Sequence, residues 1–259
     1  MADRIASAPN GKTWKPVLSL EERLKHGLFP PWLYLAYRVR KELLRGEREL
    51  RLVPFLADTS RVALDVGANK GIWTEVLRGT CREVHAFEPN PKMFALLKAG
   101  AGKNVSTHRL ALSNENGEAE FRIPRSRKGG YSNQGGSLSK VKVAENYGSI
   151  HVQTARLDDM NFSDIGFIKI DVEGSELQVL EGAEKTIRRN RPVMVIEIEE
   201  RHMKRPLEEA ISIVESYGYQ TFALCRGVLT SFELIDVDAH HRNSHANRDY
   251  INNFIFLPT

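Results

Sequence analysis

The chain has 259 residues, of which 41% are hydrophobic and 27% charged, a composition that is ordinary for a soluble globular protein. No apolar run approaches the roughly 20 residues that a transmembrane helix needs, and a formal net charge of +4 is too mild to indicate a nucleic-acid partner. The two cysteines, Cys81 and Cys225, lack CxxC spacing, and the N-terminus has no signal-peptide pattern, so we expect a cytoplasmic protein.

Residues 1–55 are predicted to form an N-terminal tail and a helical extension, and residues 56–259 the main domain. Proline, glycine and serine among residues 1–16 indicate a loose tail. After the Pro30-Pro31 turn, apolar residues recur near helical spacing over residues 32–52, with Arg, Lys and Glu between them. We expect this helix to pack its apolar stripe on the domain. Its basic residues also leave peripheral membrane contact open.

From residue 61 onward, short apolar runs alternate with helical stretches. Strands are predicted over residues 62–66, 84–88, 105–113, 118–123, 152–157, 167–171, 193–198, 219–224 and 250–257. Helices are predicted to follow Asn90 and Ser175 as N-cap residues, and to begin near residues 71 and 206. Because strand–helix alternation joins parallel strands by crossovers, we predict an α/β fold with a doubly wound, mostly parallel sheet.

The segment Asp65–Gly71, with the sequence DVGANKG, is a glycine-bearing turn between a predicted strand and a predicted helix. Gly67 and Gly71 permit positive φ and a close approach of the backbone to a ligand, and the helix N-terminus offers free N–H groups. Glu88 ends the next strand, where dinucleotide-binding folds place an acid that binds the ribose hydroxyls. The turn and the acid together predict a site for an adenosine-type cofactor.

Three classes of cofactor compete for such a site. A P-loop requires GxxxxGKS or GxxxxGKT, which the chain lacks. A dinucleotide fold requires GxGxxG, whereas this turn reads GANKG and lacks the central glycine. S-adenosylmethionine has no phosphate and carries positive charge, so acidic neighbours favour it. An NAD-linked oxidoreductase stays open as an alternative, as does an RNA-binding protein or RNA methyltransferase, although no RNA-binding motif is found.

Five sequence blocks, in this order, resemble the FkbM family of methyltransferases: DVGANKG, AFEPNP, ALSNENGEAEF, FIKIDVEGSELQVLEGA and PVMVIEIE. The resemblance covers residues 61–200 and implies the class I methyltransferase fold, a Rossmann-like sheet of seven strands. It also implies S-adenosylmethionine as cofactor and O-methylation of a hydroxyl on a sugar, glycan or natural-product acceptor. Carried over by position, the cofactor-binding residues would be Asp65, Gly67, Asn69, Gly71, Glu88, Ala111, Leu112 and Ser113. We add Ala68 of the same turn and Asp171 to these candidates.

Carboxylates follow two later strands of the predicted sheet. Asp171 and Glu173 share a face at the end of one strand, and Glu197 ends the next. These three are the candidate catalytic residues, as general bases or, for Asp171 with Glu197, as ligands of Mg²⁺ that would lower the pKa of a bound alcohol. Two interpretations stay open beside the metal: an ion-pair network with Lys169, and Asp171 as the partner of the cofactor's amine.

Two further segments carry polar groups. The glycine-rich, basic loop Pro124–Lys140 is predicted either to close over the acceptor or to be a surface loop. His202 follows a predicted strand and is a candidate acceptor-side base. His240, His241 and His245 include a pair at metal-like spacing, but their loop-like surroundings favour a solvated segment.

Overall fold

The computed structural model describes residues 30–125, 135–142, 147–243 and 249–259. Its main sheet has eight strands, which in spatial order are β10 (Val228–Ser231), β9 (Tyr219–Cys225), β11 (Asn253–Pro258), β8 (Val193–Glu197), β7 (Ile165–Ile170), β1 (Val62–Val66), β2 (Glu83–Phe87) and β3 (Val105–His108). The five strands from β8 to β3 are parallel, whereas β11 is antiparallel to both β8 and β9. This architecture confirms the predicted doubly wound α/β fold.

The main sheet has one strand more than the predicted seven. The additional strand, β10, forms a hairpin with β9 at the edge of the sheet. Its turn is tight, because Arg226 and Gly227 both have positive φ. β10 has four residues that are exposed or only partly buried, so it lacks the continuous apolar run by which the other strands were predicted.

A second, three-stranded sheet lies beside the first in the order β4 (Ala111–Leu112), β6 (Tyr147–Ala155), β5 (Gly117–Pro124). The prediction of one strand over residues 105–113 is wrong, because the chain leaves the main sheet after β3 and β4 pairs with β6 instead. The small sheet has its own apolar core, in which Phe121, Ile123 and Val152 are buried. The apolar pattern could not show that the two segments belong to different sheets.

Helices cover both faces of the main sheet. They are α1 (Pro31–Arg45), α2 (Val53–Leu56), α3 (Ile72–Arg78), α4 (Pro91–Gly100), α5 (Glu176–Asn190) and α6 (Leu207–Glu215). Successive residues of a strand point to opposite faces, and β7 shows both cores: Ile168 packs in a cluster with α5 and α6, whereas Phe167 packs in a cluster with α3.

The N-terminal extension contributes to the second of these cores. Its helix is shorter than the predicted 32–52, because α1 ends before Gly46 and a 3-10 turn over Arg48–Leu52 leads into α2. Leu50 and Val53 are fully buried against the sheet. The boundary at residue 55 stays a prediction. None of the helices among the described residues has the length and apolar character of a membrane span.

Two predicted helix caps have different outcomes. Asn90 is confirmed as the N-cap of α4, since its Oδ1 accepts from the Lys92 N–H at 3.0 Å. Ser175 stands at the N-cap position of α5 but makes no capping hydrogen bond through its side chain. The side chain of Glu176, the first residue of α5, points back to the preceding turn, where its Oε1 accepts from the Gly174 N–H at 2.9 Å. The turn after β7 is thus held by an acid inside the helix.

Candidate active site

A cavity of about 310 Å³ lies at the carboxyl ends of β1, β2, β7 and β8. β1 stands between β2 and β7, so the strand order reverses there, and ligands of doubly wound folds bind at such points. The volume is that of a small ligand pocket. Eight residues predicted for the site line it: Gly67, Asn69, Glu88, Ala111, Leu112, Asp171, Glu173 and Glu197.

The turn after β1 passes directly against the backbone of the turn after β7. Gly67 has a φ of +84°, and a Cβ there would lie 1.8 Å from the carbonyl oxygen of Asp171. The Gly67 and Ala68 N–H groups donate to the Phe87 carbonyl at 3.0 and 2.9 Å, which fixes the turn on β2. Glycine is therefore required here by the approach of the protein's own backbone.

Glu88 holds the turns that follow β1 and β2. It is 5% exposed, its Oε2 accepts from the Asn69 N–H at 2.8 Å, and its Oε1 accepts from the Asn90 N–H at 2.7 Å. Burial raises the pKa of Glu88 to about 7, although both hydrogen bonds favour the ionised form. About half of the carboxylate's lone-pair positions remain beyond these two bonds. Glu88 can therefore also accept hydrogen bonds from a diol in the cavity.

Four further carboxyl groups line the cavity, those of Asp171, Glu173, Glu197 and Glu47. Burial raises the pKa of Asp171 to about 7, opposed by Lys169 and reinforced by Glu173 and Glu47. Burial also raises the pKa of Glu197 well above its ordinary value, and the charge of Asp171 adds to the rise. The acids repel one another in a poorly solvated space, so a positively charged ligand would be stabilised among them.

Lys169 is the buried cation of this acidic cluster. Its Nζ donates to Asn253 Oδ1 at 2.9 Å and lies 5.2 Å from the centre of the Trp73 ring. Burial by itself lowers the pKa of Lys169, but four nearby carboxylates outweigh that effect, so the pKa is raised. These carboxylates belong to Asp171, Glu47, Glu197 and Asp65. One lysine therefore faces several acids.

Glu47 is a site residue that the sequence did not reveal. It lies in the N-terminal extension, just beyond the end of α1, yet it lines the same cavity as Asp171 and Glu197. Its Oε2 accepts a hydrogen bond of 2.8 Å from Trp73 Nε1 on α3. In the sequence Glu47 stands in a charged stretch that is typical of solvated helix surface, so no local pattern distinguishes it.

Apolar side chains form another part of the cavity wall. Five that were not predicted as site residues lie in the two sheets, in α4 and in connecting segments: Phe87, Met93, Leu110, Phe121 and Leu138. An apolar wall of this kind suits a flat heteroaromatic ring. The predicted cofactor-binding residues Ala111 and Leu112 belong to the same wall.

Four of the predicted cofactor residues do not line the cavity: Asp65, Ala68, Gly71 and Ser113. Asp65 is buried and its Oδ2 accepts from Thr74 Oγ1 at 2.5 Å, while burial raises its pKa to about 6. Gly71 has a φ of +90° where α3 begins. Ser113 presses its carbonyl against α5, where a Cβ on Gly182 would lie 2.0 Å away. Asp65 and Ser113 thus make contacts within the protein and not with the cavity.

A second polar cluster adjoins the cavity through Glu173. Lys142 forms an ion pair with Glu173, and its Nζ lies 2.8 Å from Nε2 of His202. Burial, together with the charge of Lys142, lowers the pKa of His202 to about 4, so the imidazole is neutral at pH 7. Glu173 has a φ of +57°, and Ser137 Oγ donates to its carbonyl at 2.6 Å.

Part of the predicted loop Pro124–Lys140 contributes to this region. Residues 126–134 lie outside the described residues. Of the remainder, Gly135 and Gly136 line the cavity, as does Leu138. The described end of the loop thus reaches the site, whereas the prediction that it closes over an acceptor is untested.

Among the residues that the structure describes, no group of three or more His, Cys, Asp or Glu side chains is placed to hold a metal ion. Asp171 and Glu197 therefore form a pair without a third ligand of this kind, and Lys169 supplies positive charge nearby. The predicted Mg²⁺ site gains no support from this donor set.

The histidines near the C-terminus do not form the predicted solvated loop. His240 and His241 belong to a π-helical turn, Asp238–Arg242. His241 is 2% exposed, its Nδ1 donates to the Ile251 carbonyl at 2.7 Å, and its Nε2 accepts from a backbone N–H. These are core contacts rather than solvent contacts. His245 lies outside the described residues.

The sequence profile of one known family matches most of the segment that builds the site. The profile is that of the methyltransferase FkbM domain, and it matches residues 65–221, which is more than half of the chain. That range contains the turn after β1, Glu88 and the carboxylates that follow β7 and β8. Glu47 lies outside it.

Curated relatives and a solved structure are also similar to this chain. The hexuronic acid methyltransferase AglP of Haloferax volcanii is 31% identical over 151 residues, which cover 56% of this chain and 59% of AglP. The 2-O-methyltransferase NoeI of Sinorhizobium fredii is 26% identical over 192 residues, covering 68% of this chain and 75% of NoeI. For AglP, the match thus covers less than two thirds of the relative's own length. A crystal structure of methyltransferase FkbM from Methylobacillus flagellatus has a TM-score of 0.49 and 17% identity, covering 88% of this chain and 58% of its own.

Proposed function

The chain belongs to the FkbM methyltransferase family, and from this premise we propose that it is an S-adenosylmethionine-dependent O-methyltransferase. We further propose that the acceptor is a hydroxyl group of a sugar, glycan or small natural product. Relatives named as methyltransferases of a hexuronic acid, of a 2-O position and of 31-O-demethyl-FK506 support this acceptor class. The structural observation that carries the proposal is a single cavity that combines Glu88 with an excess of carboxylates.

The residues of the cavity fit the chemistry of this cofactor. Glu88 has free lone pairs for a ribose diol, and the apolar wall around Ala111 and Leu112 suits an adenine ring. The acids Asp171, Glu197 and Glu47 suit the methionine end, in which an ammonium and a sulfonium outweigh the single carboxylate. When bound, S-adenosylmethionine supplies a methyl group on a positively charged sulfur. The same acids disfavour NAD, because its pyrophosphate is anionic.

Asp171 is the carboxylate that we assign to the proton of the acceptor hydroxyl. A general base works best when its pKa lies near the working pH, and burial places the pKa of Asp171 at about 7. Glu173 is less suited to this role, because Lys142 already forms an ion pair with it. Burial keeps Glu197 protonated to higher pH than an ordinary glutamate, so it can donate a hydrogen bond in the same site.

The protein's main contribution under this proposal is to hold cofactor and acceptor in line. Orientation of two reactants can remove roughly 7–11 kcal/mol from a barrier. The tight turn at Gly67 serves this purpose, because it fixes the end of β1 against the backbone of Asp171. The Lys142–Glu173–His202 cluster adjoins the same cavity and is our candidate for the acceptor side.

Transfer of a labelled methyl group tests this function. The protein is incubated with S-adenosylmethionine labelled in its methyl group and with a hexuronic acid glycoside, or with a neutral hexoside. We expect S-adenosylhomocysteine to form together with a labelled product whose methyl ether survives mild base. Label that mild base releases, as from a carboxyl ester, would contradict the hydroxyl assignment. Formation of neither product with any sugar or polyol acceptor would contradict the acceptor class.

A further inference from the structure

The outward face of α1 has a composition that is unusual for solvent-exposed helix surface. Trp32 is 63% exposed, Tyr37 is 64% exposed and Leu44 is 66% exposed. These positions lie on one side of the helix, where Arg40 lies among them and Lys41 at their edge, and both basic side chains are exposed. Aromatic and apolar side chains therefore share one surface with basic side chains.

The opposite face of α1 already has its partners within the protein. Leu35 is buried, and a Cβ on Gly100 of α4 would lie 2.9 Å from its Cδ2. Glu42 is the only acidic residue of the helix, and Arg38 NH2 is paired with its Oε1 at 3.3 Å. The exposed face, which we call the α1 surface, consists of Trp32, Leu33, Ala36, Tyr37, Arg40, Lys41, Leu44 and Arg45. It contains no acid.

We propose that the α1 surface binds an anionic lipid bilayer, with α1 lying in the plane of the membrane interface. Trp and Tyr concentrate at membrane–water interfaces, where one end of the ring is apolar and the other polar. Arg and Lys are attracted to the negative surface of a leaflet that contains anionic lipids. A helix that offers both, without a competing acid, has the features of an interfacial helix.

Charge argues against two other occupants of the α1 surface. Residues 1–29, which precede the helix, contain five Lys or Arg residues against three Asp or Glu residues, so they are basic like the surface itself. A second copy of the chain in a symmetric dimer would place Arg40 and Lys41 against the same basic surface. Like charges are unfavourable in both arrangements, whereas an anionic bilayer is complementary.

Vesicle binding by the full chain tests this proposal without relying on methyl transfer. The probes are vesicles of phosphatidylcholine with phosphatidylglycerol, and vesicles of phosphatidylcholine alone. We expect binding to the anionic vesicles and much weaker binding to the neutral ones. Binding should decrease as salt is raised from about 0.1 M to about 1 M, because the screening length falls from about 10 Å to about 3 Å.

Two variants of the α1 surface and one matched control locate the binding. Arg40→Gln with Lys41→Gln should weaken binding to the anionic vesicles by about 30-fold, since each basic residue near such a surface contributes roughly fivefold. Trp32→Ala should weaken it by about tenfold through lost apolar burial. Lys185→Gln with Arg188→Gln makes the same change in net charge on α5, across the sheet, and should change affinity by less than about threefold.

Several results would overturn the proposal. One is absence of binding to the anionic vesicles, and another is an equal loss of affinity in the α5 control. A third is binding that survives in both α1 variants, which would place the contact elsewhere, for example in residues 1–29. A dimer in analytical ultracentrifugation that Trp32→Ala dissociates would instead assign the surface to a second copy. Each variant is first checked for an unchanged circular dichroism spectrum, so that loss of binding is separated from loss of folding.

Discussion

The two sides of the cavity are built in different ways. The side that we propose for the nucleoside, around Gly67 and Glu88, comes from two consecutive strand–turn units. It is held by backbone N–H groups that donate to the Phe87 carbonyl and to the Glu88 carboxylate. The side that we propose for the acceptor, around Glu173 with Lys142 and His202 beside it, is assembled from three distant parts of the chain and is held by side-chain contacts. The geometry of the nucleoside side therefore follows from the strands and their turns, whereas that of the acceptor side depends on charges that individual substitutions can remove.

This difference predicts how each side responds to mutation. Substitutions on the nucleoside side should damage cofactor binding and folding together, because backbone and site coincide there. Substitutions on the acceptor side should spare both and alter turnover or acceptor binding. Asp171 stands at the junction, since its backbone contacts the turn at Gly67 and its carboxyl group lines the cavity with Glu197.

The largest expected effect is that of Asp171→Asn. Loss of the proposed general base should lower the rate of methyl transfer by about 10²–10⁴-fold, while the affinity for S-adenosylhomocysteine changes by less than about tenfold. Single-turnover kinetics and calorimetry measure the two quantities separately. Glu118→Gln, on the exposed part of β5, should leave both unchanged. A fully active Asp171→Asn protein would show that the catalytic centre lies elsewhere.

Gly67→Ala should have the next largest effect, and it should act on folding as well as on binding. The new Cβ would overlap the Asp171 carbonyl, and overpacking combined with positive φ costs about 3 kcal/mol. We expect the affinity for S-adenosylhomocysteine to fall by about 100-fold, because the turn must move.

Gly117→Ala separates the effect of positive φ from the effect of the contact with the Asp171 carbonyl. Gly117 has a φ of +144°, but nothing lies within 4 Å of a Cβ there. We expect a stability loss of about 1–3 kcal/mol from the backbone conformation alone and no change in cofactor affinity. Thermal unfolding and calorimetry measure both. Equal effects of the two alanines on binding would contradict the claim that the Asp171 contact shapes the site.

Lys142→Met tests the acceptor side. Loss of the Lys142 ammonium should raise the KM for the acceptor by about tenfold, which is the effect of losing one charged hydrogen bond, while the cofactor affinity stays constant. The pKa of His202 should rise from about 4 toward its ordinary value, because burial and the charge of Lys142 lower it. NMR titration of His202 measures this without an acceptor. The exposed Lys140→Met serves as control, and an unchanged His202 pKa would contradict the assigned contact.

Raising the pH from 6 to 8 should strengthen cofactor binding by about tenfold, an effect of the same size as that of Lys142→Met on the acceptor KM. Burial raises the pKa of Glu88 and of Asp171 to about 7, from 4.5 and 3.8. Above about pH 4 the unfolded chain releases protons that the folded, cofactor-free protein still holds. These groups therefore stabilise the fold fully below about pH 4, and this contribution to stability is lost as the pH rises through about 7. A cationic ligand favours the ionised forms. Calorimetry in two buffers of different ionisation enthalpy should show proton release on binding, and proton uptake would contradict this account.

The nucleoside side could be predicted from the sequence because its signals are local. Gly67 and Glu88 follow apolar strands directly, and Asn90 precedes a proline at the start of a helix, so position along the chain translates into position in space. The same logic identified Asp171 and Glu197, which end the parallel strands on the other side of β1. Parallel topology brings all of these residues to one edge of the sheet.

The remainder of the site could not be predicted because it depends on tertiary contacts. Glu47 reaches the cavity only because the segment after α1 folds back onto Trp73. Lys142 and His202 meet across 60 residues. The transfer of β4 to a second sheet also follows from packing rather than from local pattern. No periodicity in a single sequence contains this information.

Titration of S-adenosylhomocysteine into three proteins tests the central claim most directly. For the unaltered chain we predict one saturable site by calorimetry, and no heat with NAD. Glu88→Gln, which loses one charge-assisted hydrogen bond, should bind about 10–100-fold more weakly, whereas Glu83→Gln at the other end of β2 should bind within about threefold of the unaltered chain. Absence of heat and of thermal stabilisation with S-adenosylhomocysteine, or equal loss in the two variants, would contradict the account.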